Sequence, residues 1–193
     1  KWICSVGRFF ILGHGKKQEV LIKAFKQFYD QGHDDWQLHL VGGVGSEPTS
    51  VEFVQKLKDM AKNYPIFFHF NSSRSEVEGI YLKSMVYWHA AGFGESETRD
   101  PIKFEHFGIA PVEAISAGCI PVLYNGGGLR EIISEIDLRQ DLHLFKTTDQ
   151  LITNTIKLTQ LKTQKLDWKN IYNILYKTFS QEAFKKKLLA LLE

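Results

Sequence analysis

Two glutamates, Glu105 and Glu113, frame the segment Glu105-His106-Phe107-Gly108-Ile109-Ala110-Pro111-Val112-Glu113, with seven residues between them. The segment runs directly into Ala114-Ile115-Ser116-Ala117-Gly118-Cys119-Ile120-Pro121-Val122. That order reads as a loop, a helix opened at a glycine, a tight turn and a buried strand. A helix N-terminus offers unpaired backbone N–H groups and the positive end of the helix dipole, which together hold phosphate. One carboxylate stands just before that terminus; the other, at a rise of about 1.5 Å per residue, sits on the order of 8 Å inside it. Carboxylates accept hydrogen bonds from hydroxyls. The spacing therefore suits a ligand with hydroxyls at each end and an anion between them, the layout of a nucleoside diphosphate sugar.

Cations stand near the start of the chain. Gly7-Arg8 follow the first predicted strand, and Lys16 and Lys17 follow a Gly13-His14-Gly15 turn. At that edge they could neutralise a diphosphate and the charge that develops on it as a leaving group; a solvated helix start is the plainer alternative. The turn is not a phosphate loop of the Walker type, because the glycine spacing and the Ser/Thr are missing. Gly126-Gly127-Gly128, before Leu129-Arg130-Glu131, would let a backbone approach a ligand closely. His106 adjoins the anion site, with a structural role as its alternative; His89 ends a predicted strand at the same edge, and His14 is a weaker candidate. The acidic loop with Glu95, Glu97 and Asp100 suits a hard cation by ligand type. It lacks a fixed ligand spacing, and the seven histidines form no metal motif. No metal is expected.

Strands and helices alternate along the chain. Strands are predicted at Trp2–Val6, Gln37–Val41, Ile66–Phe70, Met85–Ala90, Ile120–Tyr124 and Leu142–Phe145. Helices are predicted at Gln18–Gln31, from a cap at Thr49 or Ser50, at Ser75–Ser84 and from about Thr147 onward. Helix-separated strands imply a Rossmann-like, doubly wound parallel α/β sheet of about six strands, with extra C-terminal helices. Sites in such sheets lie beyond the C-terminal ends of the strands, where each of these glycine turns falls.

The 193 residues suit one domain, 1–193, whose helical segment begins near 147. With 44% hydrophobic and 24% charged residues and a net charge of +2, the composition is that of an ordinary globular protein. No basic block or basic–aromatic alternation points to nucleic acid. Cys4 and Cys119 lack metal-ligand spacing and suit a reducing compartment. The sequence shows no signal peptide and no apolar run of membrane-spanning length. It opens directly into a strand, as an excised domain would.

The Glu-x7-Glu frame with Phe107-Gly108-Ile109 inside it, followed by Glu113-Ala114, Ala117-Gly118 and Pro121-Val122, resembles glycosyltransferase family 4, retaining enzymes of GT-B fold. The similarity runs from Ser5-Val6-Gly7-Arg8 to the helix around Phe179-Ser180, and corresponds to the C-terminal half of such an enzyme. It implies that Glu105 contacts hydroxyls of the transferred sugar, with Arg8 and Lys16 as the other catalytic groups. Donor binding would fall to Glu113 on the ribose, to backbone N–H groups of Phe107, Gly108 and Ile109, and to Lys17, His106, Gly127 and Gly128. The family places a glycine after its lysine where this chain has Lys17, so Lys17 is the alternative to Lys16. Asn71, Ser72 and Ser73 stand where the family reads the base. The implied activity is transfer of a hexose from a UDP- or GDP-sugar to an acceptor hydroxyl, with no metal or other cofactor. An N-terminal acceptor domain absent from this chain would complete the enzyme, and the isolated domain would be nearly inactive. Glu-His-Phe-Gly-Ile also occurs in cytosolic-face mannosyltransferases of lipid-linked oligosaccharide assembly. That tilts the donor towards GDP-mannose, the acceptor towards a membrane-bound one, and the location towards the cytoplasm or the cytosolic face of a membrane. The alternatives are a GT-B nucleotide-sugar epimerase and a non-catalytic nucleotide-sugar-binding module.

Overall fold

Apolar residues alternate between the two faces of each strand, and both faces are covered by helices. A computed structural model describes residues 1–10, 15–160 and 166–190. Its strands are β1 (Trp2–Val6), β2 (Gln37–Gly42), β3 (Ile66–Phe70), β4 (Val86–His89), β5 (Ile120–Tyr124) and β6 (Leu144–Phe145). They form one parallel sheet in the order β3-β2-β1-β4-β5-β6. The chain builds outward from β1 to β3, then returns to lay β4 against the free side of β1. That reversal opens a crevice between β1 and β4 at the C-terminal edge.

Three helices cover one face: α1 (Gln18–Asp30), α2 (Pro48–Ala61) and, later in the chain, α7 (Thr148–Gln160). Their Leu21, Phe25, Phe28, Phe53, Leu57 and Leu151 pack on Ile3, Leu38, Leu40, Trp88 and Phe145. The other face carries α3 (Arg74–Lys83), α4 (Ile109–Ser116), α5 (Leu129–Glu135) and α8 (Trp168–Phe179) over Cys4, Val41, Tyr87 and Leu123. Short α6 (Gln140–His143) precedes β6, and α9 (Gln181–Leu189) lies mostly exposed beyond α8. The break between α8 and α9 is set by Ser180, whose hydroxyl accepts from the Ala183 N–H at 3.1 Å.

Several predicted boundaries move, each for a local reason. Glu47, rather than Thr49 or Ser50, is the N-cap of α2, and Pro48 takes the first helical position where no N–H is needed. Helix α3 starts at Arg74 because Ser73 and Glu76 close a reciprocal capping box. The predicted strand Leu142–Phe145 keeps only its last two residues. His143 donates from Nδ1 to the Pro121 carbonyl at 2.8 Å, so a buried side chain takes the acceptor that a longer β6 would face. Gly13, His14 and most of their loop lie outside the described residues.

Strand β4 is tied to α7 by a buried hydrogen bond from Trp88 Nε1 to Thr155 Oγ1 at 2.9 Å. Removing the acceptor in Thr155→Val leaves the indole N–H buried and unpaired, at a cost of about 1–3 kcal/mol. We expect a melting temperature lower by about 2–4 °C for each kcal/mol in a domain of this size. Trp88→Phe combined with Thr155→Val should lose less than the sum of the single changes. Additive losses, or a neutral Thr155→Val, would contradict this assignment.

Candidate active site

Phe104 anchors the segment that carries Glu105. It is buried, packs against Tyr124 at 6.2 Å between ring centroids, and lies under Gly92 and Gly126. The Gly126–Gly128 turn then closes on the Glu105 backbone, with the Gly128 N–H donating to the Glu105 carbonyl at 2.8 Å. A Cβ on Gly127 would strike the Glu105 carbonyl, and one on Gly128 would strike that of His106. These positions need glycine because two main chains meet there. Gly108 is needed for a different reason: it is the N-cap of α4 with a positive φ of 82°.

Braced in this way, the Glu105 side chain turns into the β1–β4 crevice. Its Oε2 accepts from Lys16 Nζ at 2.6 Å and faces His89 Nε2 at 3.0 Å. Burial alone would raise the Glu105 pKa; the His89 hydrogen bond and the Lys16 ammonium outweigh it and hold the carboxyl well below the usual carboxylate range. His89 is 1% exposed, and burial lowers its pKa against the pull of Glu105. The imidazole is therefore neutral at neutral pH and acts on Glu105 as an N–H donor, while Lys16 supplies the positive charge.

Lys17 follows another course. Its left-handed backbone, φ 57°, turns it away from Lys16, and its Nζ meets Glu95 Oε1 at 2.6 Å. Lys103 binds the other oxygen of Glu95 at 2.8 Å, and these two ammonium groups, Lys103 first, pull the Glu95 pKa down to about 2. Lys16 is thus the lysine in the crevice, and Lys17 lies on its rim. Glu97 accepts from the Gly127 N–H at 3.1 Å and from Arg130 at 2.7 Å, while Asp100 lies 3.5 Å from Lys103. The acidic loop is strapped down by cations of the chain itself. Among the described residues, no group of three or more His, Cys, Asp or Glu could hold a metal ion.

Glu113, the fifth residue of α4, stands about 6 Å along the helix at 1.5 Å per residue, nearer the terminus than the sequence spacing suggests. Its Oε1 accepts from Arg74 Nη1 at 2.5 Å, and Arg74 Nε also binds Glu78 at 2.7 Å. These bonds, Glu113 first, raise the Arg74 pKa. The start of α3 is thereby joined to α4 beside Asn71 and Ser72. Arg8 is exposed and lines a cleft of about 370 Å³ with Gly7, Gly42, Gly43, Asn71 and Ser72. Among the described residues its guanidinium has no ion-pair partner. Within α4 the N–H groups of Ile109 and Ala110 have no intrahelical acceptor. The Phe107 ring instead packs edge-on against Phe179, 5.7 Å away, and Ile109 is 65% exposed. His106, Phe107 and Gly128 also line a second cleft of about 510 Å³ with Glu131, Glu135 and Phe179.

The arrangement thus gathers Glu105, Lys16, Arg8, Glu113, the start of α4 and the glycine turn along one sheet edge. Sequence reasoning gave no role to Arg74 and Tyr87. Arg74 was accessible as a cation directly after β3; Tyr87 shares a strand face with His89, two residues on.

The profile of the family glycosyl transferases group 1 matches residues 1–165. A search of curated protein sequences found no match. Solved structures show the same fold at low identity. The C-terminal domain of the group 1 family glycosyl transferase LpcC from Francisella tularensis is 18% identical, with a TM-score of 0.66, covering 94% of this chain and 87% of that one. Anabaena Alr3699/HepE, solved in complex with UDP and glucose, is 18% identical with a TM-score of 0.68, covering 99% of this chain and 47% of that one. A UDP-forming α,α-trehalose-phosphate synthase from Burkholderia vietnamiensis is 11% identical with a TM-score of 0.74, covering 100% of this chain and 43% of that one. The chain spans less than half the length of the last two. Its parallel sheet with flanking and C-terminal helices is the architecture of the C-terminal domain of a GT-B fold. With the family profile spanning residues 1–165, the chain belongs to the glycosyl transferases group 1.

Proposed function

We propose that the chain is the donor-binding domain of a retaining, family 4 enzyme that transfers a hexose from a nucleoside diphosphate sugar to an acceptor hydroxyl. The observation that carries this reading is the Glu105 carboxylate held against Lys16 at the β1–β4 switch point, beside the start of α4. In this reading the diphosphate lies between Arg8, Lys16 and the N–H groups that open α4, with Lys17 on the rim. Those cations stabilise the charge on the departing diphosphate, so no metal is required of the site. Glu113 takes the ribose hydroxyls and Glu105 those of the hexose. His106, Gly127 and Gly128 bring main chain to the sugar. Retention follows a front-face course in which the leaving phosphate accepts the proton of the acceptor hydroxyl. Glu105 then positions and balances charge without forming a covalent bond.

The UDP and glucose in the Anabaena neighbour support a nucleotide sugar as the ligand class. The donor is a UDP- or GDP-sugar. The greater length of the full-length neighbours supports an N-terminal domain that carries the acceptor site. The acceptor is a glycan, a polysaccharide or a membrane-bound lipid carrier, and the proposed location is the cytoplasm or the cytosolic face of a membrane. The isolated domain should turn over little.

Arg8→Ala and Lys16→Ala, each in the full-length enzyme, should lower turnover about ten- to a hundredfold, because a charge-assisted phosphate contact contributes about 1.5–3 kcal/mol. Steady-state kinetics on folded protein check this, and normal rates in both would remove the pair from the site. The glutamates separate by ligand. Glu113→Gln should weaken free UDP or GDP as much as the nucleotide sugar, by about 1–2 kcal/mol for replacing a charged acceptor with a neutral one. Glu105→Gln should leave free-nucleotide binding intact while turnover falls. Calorimetric titration of both variants decides the matter, and the opposite pattern would reverse the two roles.

A further inference from the structure

Behind Glu105 lies a chain of buried polar groups that the proposed donor contacts do not use. Tyr87 and His89 stand two apart on β4 and so project from the same face, into the crevice beside β1. The Tyr87 hydroxyl is 3.1 Å from His89 Nδ1, and His89 Nε2 is 3.0 Å from Glu105 Oε2. The roles follow by elimination. An ionised carboxylate only accepts, so Nε2 carries the proton. A neutral ring then has a bare Nδ1, which accepts from the Tyr87 O–H. Burial raises the Tyr87 pKa well above that of a free phenol, so the hydroxyl keeps its proton. The Val6 carbonyl, 3.3 Å away, is a second acceptor for the same single proton; the shorter 3.1 Å contact to Nδ1 takes it.

We propose that His89 is a positioning residue: with its Nδ1 engaged by the Tyr87 hydroxyl and its Nε2–H on Glu105, it holds the Glu105 carboxylate in place while Lys16 engages the donor diphosphate. The proposal rests on the reading of Glu105 as the sugar-side carboxylate. Lys16 and His89 meet the same oxygen of Glu105, but they differ in what ligand arrival does to them. A diphosphate attracts the Lys16 ammonium and weakens its hold on Glu105. His89 is neutral and 1% exposed, so it is not drawn to the phosphate. A neutral donor also leaves the full negative charge on Glu105 facing the sugar, which a cation in its place would cancel. Trp88, between the two, points to the opposite face and is fixed by Thr155, so β4 has little freedom to rotate the relay.

The test uses the full-length enzyme with His89→Phe, His89→Gln and Tyr87→Phe. Glutamine keeps an N–H donor near the position of Nε2; phenylalanine removes it. With UDP-glucose and GDP-mannose as donors, release of nucleotide should fall about thirtyfold in His89→Phe, the size of a lost hydrogen bond to a charged group. His89→Gln should recover about tenfold of that loss, while binding of free UDP and GDP stays within about threefold of the parent in all three variants. Ring 15N shifts of His89 should show Nε2 protonated and Nδ1 bare at neutral pH in the parent, and in Tyr87→Phe the same tautomer with the Nδ1 shift moved by loss of its hydrogen bond. Release in His89→Phe within threefold of the parent, no recovery in His89→Gln, or an Nδ1–H tautomer in the parent would each overturn the proposal. A parent that binds neither UDP nor GDP would instead sink the proposed function, and the ring shifts would still decide whether His89 holds Glu105.

Discussion

A lysine ammonium and a glutamate carboxylate, 2.6 Å apart and 89 residues apart in sequence, meet where the sheet reverses its strand order. Lys16 comes from the segment before α1 and Glu105 from the loop before α4. Their side chains are only 18% and 12% exposed. Shielding two charges to this degree costs on the order of several kcal/mol per ion, which their attraction and hydrogen bonds must offset. Such a pair adds little net stability. Its use lies in preparation, because it places a cation and an anion side by side where a polar ligand enters.

The rest of the edge is arranged around that pair. Phe104 and the Gly126–Gly128 turn fix the Glu105 backbone, and Tyr87 with His89 supports its side chain from the sheet. Lys17, Lys103 and Arg130 hold the acidic loop from both ends, through Glu95 and Glu97. Arg74 fastens Glu113 to the start of α3. Lys17–Glu95, Arg130–Glu97 and Arg74–Glu113 each link segments that follow different strands, so the parallel sheet delivers residues distant in sequence to one side. The charges meet each other in the described structure, and a polyanionic ligand would re-partner the cations without building a site anew.

The strand pattern and the Glu105–Glu113 segment were legible because they rest on local information: apolar runs, glycine turns and a helix-opening motif. The choice between Lys16 and Lys17 was not, since it depends on the left-handed backbone at Lys17 and on a glutamate, Glu95, that lies 78 residues away. The short β6 was missed because it is limited by a histidine ring on a proline carbonyl, a contact that apolar periodicity does not encode. The hold of Arg74 on Glu113 spans 39 residues and had no local signal beyond a cation after a strand. His89 was visible as a strand-end histidine; its partnership with Glu105 needed the loop to fold back over β4.

The central claim is that this edge binds a nucleoside diphosphate sugar. A melting-temperature panel of UDP-, GDP- and ADP-sugars on the full-length protein tests it most directly. A ligand bound only by the folded state adds about 2.7 kcal/mol of stability at a hundred times its dissociation constant. The account predicts a saturable rise in melting temperature for one nucleotide series, with the nucleotide sugar raising it at least as far as the bare nucleotide. A protein whose melting temperature moves with none of these ligands at millimolar concentration would contradict it.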